Sequence, residues 1–266
     1  MEWLLAHMDP RERVVRGPTQ RLPSWQYTGV FRFKTVPAGT MSWSRMAEIM
    51  SEADATYFIV DVGVFRERHQ LLSQFFEQVD EDRLRLRALP LGWELAYAEP
   101  QSADDLAGLP RECTYCLLRK VDPPPGPPVT LPEVDFGDRV RLLGYYLPNP
   151  AVRAGDTLQV ILYWQGLVQM HEDYAVALRL VGEDGQIYAQ QDGLTVEGRF
   201  VTTGWPPGDT VADLHDLAVP PETPAGAYRL EVDVYQPQTG ERLEAGGPGA
   251  AGHRAAIPNI AVEAAR

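Results

Sequence analysis

Six of the twelve residues from Val121 to Pro132 are proline. Such a stretch supplies few backbone donors and holds φ near −65°, so neither a helix nor a sheet ladder runs through it. It reads as an extended, semi-rigid linker at 123–132, with one domain over residues 1–122 and another over 133–266. A length of 266 residues favours two cores on its own account.

The stretch beyond the linker carries a period of two. "TLQVILYW" sets Leu158, Val160, Leu162 and Trp164 on one face, and "DYAVALRLVG" does the same with Tyr174, Val176, Leu178 and Leu180. "AYRLEVDVYQ" turns Tyr228, Leu230, Val232 and Val234 inward. "EDGQ" at 183–186 offers the Asp-Gly pair of a tight hairpin, and "LEAGGPGAAGHR" reads as a mobile tip. Short strands at this spacing predict an all-β, immunoglobulin-like antiparallel sandwich.

Before the linker, helical and strand periods alternate. "SWSRMAEIMSEA" spaces Trp43, Met46, Ile49 and Met50 as a helix that feeds a buried strand, "TYFIVDVGVF". "RERHQLLSQFFEQV" puts Phe65, His69, Leu72, Phe76 and Val79 on one helical face, His69 as a core histidine. With "RERVVRG", "RLRLRALP", "WELAYAEP" and "TYCLLRKV" as strands, the expectation is an α/β domain with an open, Rossmann-like three-layer sheet.

Charge excludes one class of partner. The net charge is −13, with 15 basic and 18 acidic residues in 1–125 against 9 and 19 in the remainder. No basic stripe offsets this, so nucleic acid is not an expected partner. No run of about 18 apolar residues occurs, and "MEWLLAHMDP" lacks the pattern of a signal peptide. The chain is expected to be soluble.

Several short motifs carry a resemblance: "LPSWQYTGVFRFKTVP", "ATYFIVD", "LPLGWELAY", then "LYWQGL", Trp205-Pro-Pro-Gly208 with Asp213, and Pro224-Ala-Gly226-Ala-Tyr228. In this order they resemble the soluble carboxyl-terminal region of bacterial polytopic membrane glycosyltransferases of the dolichyl-phosphate-mannose protein mannosyltransferase and aminoarabinose transferase type. The resemblance implies an extracytoplasmic accessory module facing glycan or polyprenyl-phosphate sugar, attached to a membrane only through a transmembrane part this sequence does not contain. The acidic catalytic residues of that family lie between membrane helices, so no residue here inherits a catalytic role.

The candidate chemistry is sparse. Cys113 and Cys116, the two cysteines of the chain, form a C-x-x-C pair. In one continuous strand their Cα atoms would stand about 10 Å apart on opposite faces, so free thiols are expected. His171, Asp173, His215 and Asp216 fit a metal cluster only if two loops converge, and Asp184, Asp192 and Asp213 lack a D-x-D-x-D-G calcium loop; no metal and no cofactor is expected. Trp205, with Gln190, Gln191 and Arg199 near it, is a candidate aromatic platform for a sugar ring, against the alternative that it covers the sandwich edge. In the α/β half, Trp25, Tyr27, Asp61, Arg66 and Arg68 gather where open sheets bind ligands, at the carboxyl ends of strands. No nucleotide, serine-hydrolase or zincin motif occurs. The reading is a non-catalytic accessory module of a membrane glycosyltransferase system, its alternatives an independent carbohydrate-binding sandwich and an enzyme with its site over the α/β sheet.

Overall fold

A computed structural model describes residues 13–16, 32–35, 43–52, 55–67, 69–90, 92–99, 111–121, 129–198 and 200–265. The chain divides into two compact units, Met1–Pro125 and Gly126–Arg266. The second strand set begins inside the expected linker, at Val129. No helix among the described residues is long and apolar enough to cross a membrane.

The first unit contains β1 (Arg13–Arg16), β2 (Arg32–Thr35), α1 (Trp43–Glu52), β3 (Tyr57–Asp61), α2 (Val62–Glu67) and α3 (His69–Leu72). It continues with β4 (Phe76–Gln78), β5 (Leu84–Leu86), β6 (Trp93–Glu99), β7 (Arg111–Cys113) and β8 (Tyr115–Lys120). The helix and the strand after it form as the spacing predicts: Met46, Ile49 and Met50 are buried, as are Tyr57, Phe58, Ile59 and Val60.

The Rossmann-like expectation is overturned. The larger sheet has the order β2-β1-β3-β8-β6, with parallel pairing of β1 to β2 and β3 but antiparallel pairing of β8 to β3 and β6. A second sheet, β4-β5-β7, is wholly antiparallel. The single long helix expected over 66–79 breaks instead into short turns of α2 and α3. Phe76 then pairs with Leu86, and Phe75 accepts from Arg87 N at 2.7 Å. A run of apolar residues three or four apart does not distinguish a helix from a helical turn followed by a strand, and here the ladder to β5 takes the backbone. His69 is exposed, its ring edge-on to Phe65 at 5.1 Å, and is not a core histidine.

The cysteines are also corrected: Cys113 and Cys116 form a disulfide, with Cα atoms 6.1 Å apart. The assumption of one continuous strand fails at Thr114, whose N–H and Oγ1 both donate to Glu99 O at 2.6 and 3.2 Å. The bend places Cys113 opposite Leu84 in the smaller sheet and Cys116 between Val60 and Ala98 in the larger one, so the bridge joins the two sheets. Denatured, unreduced protein should therefore show no titratable thiol. Cys113→Ser should lower stability by about 2 kcal/mol, the chain-entropy value for so short a loop. Two thiols per chain in the unreduced protein would show that the bridge does not form.

The second unit is a sandwich, as the period of two requires. Its strands are β9 (Val129–Phe136), β10 (Val140–Tyr146), β11 (Ala151–Arg153), β12 (Thr157–Gly166), β13 (Ala175–Gly182), β14 (Ile187–Leu194), β15 (Thr210–Ala218), β16 (Gly226–Tyr235), β17 (Ala245–Gly246), β18 (Ala250–Ala251) and β19 (Arg254–Glu263). One sheet has the order β15-β12-β10-β9-β17, the other β11-β19-β16-β13-β14 with β18 added to β19. The expected inward sets from β12, β13 and β16 lie in one core with Phe136, Trp164 and Ile257. At the 183–186 turn Gly185 takes the left-handed conformation (φ 79°), while Asp184 Oδ1 accepts from Gln186 N at 3.0 Å. The segment around Gly247 is no mobile tip: β17 pairs with β9, and a Cβ on Gly247 would sit 2.3 Å from Glu133 O.

Candidate functional site: the cleft between the edge strands

Strands β14 and β15 are the edges of the two sheets on one side of the sandwich. Pairing parity fixes what each turns inward. On β14, Ala189, Gln191 and Gly193 stand opposite Leu180, Leu178 and Val176 of the core. On β15, Val211, Asp213, His215 and Leu217 stand opposite Trp164, Leu162, Val160 and Leu158. Polar side chains thus face inward where the two sheets end, a device that also discourages edge-to-edge pairing. Between them lies a cleft of about 360 Å³ lined by Gln191 to Leu194, Glu197, Gly198 and Asp213 to His215.

One end of the cleft is closed by the turn Thr195–Gly198, in which Val196 (φ 52°), Glu197 (φ 55°) and Gly198 (φ 77°) are all left-handed. A β-branched residue in this region is strained by about 1–2 kcal/mol. The turn is held by Val196 N donating to Asp213 Oδ1 at 2.7 Å and by Thr195 Oγ1 donating to Phe200 O at 3.0 Å. The Val196 side chain is buried in the sandwich core, which offsets the strain.

Asp213 serves two partners, since its Oδ2 lies 2.9 Å from His215 Nε2. Burial pushes the basicity of His215 down. The Asp213 charge and hydrogen bond, with Glu197 and Asp216, outweigh it and hold the pKa above the ordinary value. Gln191 contributes a buried Oε1 with no hydrogen-bond partner in the structure. With the carboxylates of Glu197 and Asp213 beside it, the cleft is rich in acceptors. No Ser, Thr, Cys or Lys lines it, and its titratable side chains are Asp192, Glu197, Asp213 and His215. The space itself comes from Gly193, where an added Cβ would meet nothing within 4 Å.

The residues selected from sequence fare differently. Trp205 is not a platform: it is 1% exposed, belongs to the core, and its Nε1 donates to Phe200 O at 3.1 Å. Gln190 faces outward and accepts from Arg179 Nε at 3.0 Å, while its neighbour Gln191 faces the cleft. Asp61 caps α2, its Oδ1 accepting from Val64 N at 2.8 Å, and Arg66, at the other end of that helix, donates from Nε to Gln78 Oε1 at 3.2 Å. Trp25, Tyr27, Arg68 and Arg199 lie outside the described residues. The histidine and aspartate loops do not converge: Asp173 Oδ1 accepts from Thr203 N and Oγ1 at 3.1 and 2.7 Å, and Asp216 accepts from Gln159 at 2.9 Å. No group of three metal-ligating side chains occurs among the described residues. Asp213 and His215 entered the sequence reading only in separate metal candidates; their pairing was open to parity, since both share the face of Val211 and Leu217.

No family model and no curated protein matches the sequence, and neither comparison supports the membrane-glycosyltransferase resemblance. Among solved structures, the C-terminal domain of wzt is 14% identical over 53% of this chain and 83% of its own, with a TM-score of 0.35. The CARDB domain of a Pyrococcus furiosus protein, solved in complex with di-metal ions, is 13% identical over 52% of this chain and all of its own, with a TM-score of 0.29. A calcium-binding mutant of Bacteroides uniformis beta-glucuronidase 2 is 14% identical over 56% of this chain but 16% of its own, with a TM-score of 0.26. Likenesses this weak carry no argument about ligand or reaction.

Proposed function

We propose that the protein is a non-catalytic binding module whose sandwich unit takes a carbohydrate in the cleft between β14 and β15. The observation that carries the reading is the unpartnered Gln191 Oε1 in a cleft of about 360 Å³ dominated by acceptors. A buried acceptor left without a donor is unfavourable, and a ligand rich in hydroxyl groups supplies donors to Gln191 and Glu197 together. The volume is within the usual range of small-ligand sites. The Cys113–Cys116 bridge supports an oxidising, extracytoplasmic setting. A place beside a membrane glycosyltransferase is a further proposal, supported by the motif order of the sequence alone.

Gly193→Leu tests the reading. Gly193 is not among the left-handed glycines and has open space above its Cα. The variant should fold normally while its side chain occupies the cleft. Titrated calorimetrically against a panel of neutral oligosaccharides, it should bind at least about tenfold more weakly than the wild type, the loss of about 1.4 kcal/mol of contacts. No saturable binding by the wild type, or equal binding by the variant, overturns the proposal.

A further inference from the structure

The outer face of the second sheet has a charge pattern opposite to the rest of its unit. Residues 126–266 hold nine arginines and nineteen acidic residues. Four of those arginines, at 179, 229, 242 and 254, meet on this face around two carboxylates, Glu231 and Asp233. Asp233 is fully buried and receives Nη1 of both Arg179 and Arg242 on Oδ2, with Arg254 Nε 3.5 Å from Oδ1. Glu231 receives Arg229 Nε and Nη2 at 3.0 and 2.7 Å on Oε1, and Arg254 Nη1 at 2.6 Å on Oε2. The guanidiniums therefore form a row, neighbours sharing a carboxylate. Even with Asp192 at the margin, cations outnumber anions.

Arg179 is buried, but the side chains of Arg229, Arg242 and Arg254 are 41, 38 and 45% exposed. Each keeps a nitrogen that none of these contacts uses: Nη1 of Arg229, Nε and Nη2 of Arg242, and Nη2 of Arg254. Ala177, opposite Asp233, and Ala175, opposite Tyr235, are buried beneath the row, and Tyr235 stands partly exposed at its margin. Cationic forks oriented from below by buried carboxylates, with free donors facing outward, are preorganised for planar oxyanions.

We propose that this face recognises the carboxylates of uronic acid residues carried on a glycan. The inference rests on the carbohydrate reading for the nature of the ligand, but uses a different face of the sandwich from the cleft. A patch of this size inside an acidic unit suits a glycan bearing sparse acidic substituents. A uniformly charged polyphosphate would be repelled by the surroundings.

The test compares glucuronate-substituted xylan with unsubstituted xylan on the full chain, by calorimetry at low and moderate salt. Wild type should prefer the substituted polymer, and the preference should weaken with salt. Arg242→Gln and Arg254→Gln should each reduce affinity for it about tenfold, the worth of one charge-assisted contact. Both side chains are half-exposed and Arg179 remains on Asp233, so unchanged thermal melts are expected. Gly193→Leu should retain the preference for glucuronate. Equal binding of the two xylans by wild type, or unchanged affinity in both arginine variants, overturns the proposal and leaves the cleft reading intact. Equal or tighter binding of inorganic polyphosphate or duplex DNA overturns it in favour of a general polyanion surface.

Discussion

Asp233→Ala is expected to destabilise the sandwich by about 3–5 kcal/mol, the usual penalty for leaving a buried charge without its partner. The charge in question is Arg179, 3% exposed, whose Nη1 rests on Asp233 and whose Nε has only the neutral Gln190 Oε1. Arg242 and Arg254 lose a partner too, yet both reach water, and pairs of that kind contribute roughly 0–1 kcal/mol each. Asp233→Asn keeps the volume and one acceptor and should lose less. Arg179→Ala should also lose less, because Arg242 and Arg254 remain to neutralise Asp233. Urea denaturation, read as a change in midpoint at constant slope, gives the ranking. A loss below about 1 kcal/mol for Asp233→Ala would show that water reaches Arg179.

Trp205→Ala should cost a similar amount, about 3–5 kcal/mol, as expected for removal of a large buried ring. The ring is part of the core that also holds Phe200 and Val196. Its Nε1 satisfies Phe200 O, which also accepts from Thr195 Oγ1 at the start of the strained turn. The loss therefore extends to the wall of the cleft. Trp205→Phe should recover much of the stability. A Trp205→Ala protein that melts like the wild type would contradict the buried placement.

How far the sequence specified this molecule differed between the two units. Alternation is a property of the strand backbone itself, so the inward sets on β12, β13 and β16 were readable without knowing their neighbours. The same parity separates Gln191 from Gln190 and puts Asp213 with His215. Trp205 was drawn to Gln190 and Arg199 by closeness in sequence, and nothing local to "TTGWPPGD" reveals that the ring turns into the core. In the first unit the signals were short and ambiguous. The stretch from Phe65 to Val79 has a helical period, but its end is claimed by a ladder to Leu84–Leu86, a tertiary effect. The disulfide depends on one bend at Thr114, created by hydrogen bonds to Glu99, fifteen residues away. A long-range contact of that kind leaves no trace in the "CTYC" spacing.

In both units the last of the described strands sits inside a sheet: β8 between β3 and β6, and β19 between β11 and β16. During synthesis, β16 leaves the ribosome before the strand that covers one of its two sides exists. The second sheet cannot close until Arg254–Glu263 have emerged. Pairing of this kind joins distant parts of the chain and forms slowly. Until then the growing chain carries an open edge beside Glu231 and Asp233, whose charges resist association with other nascent chains.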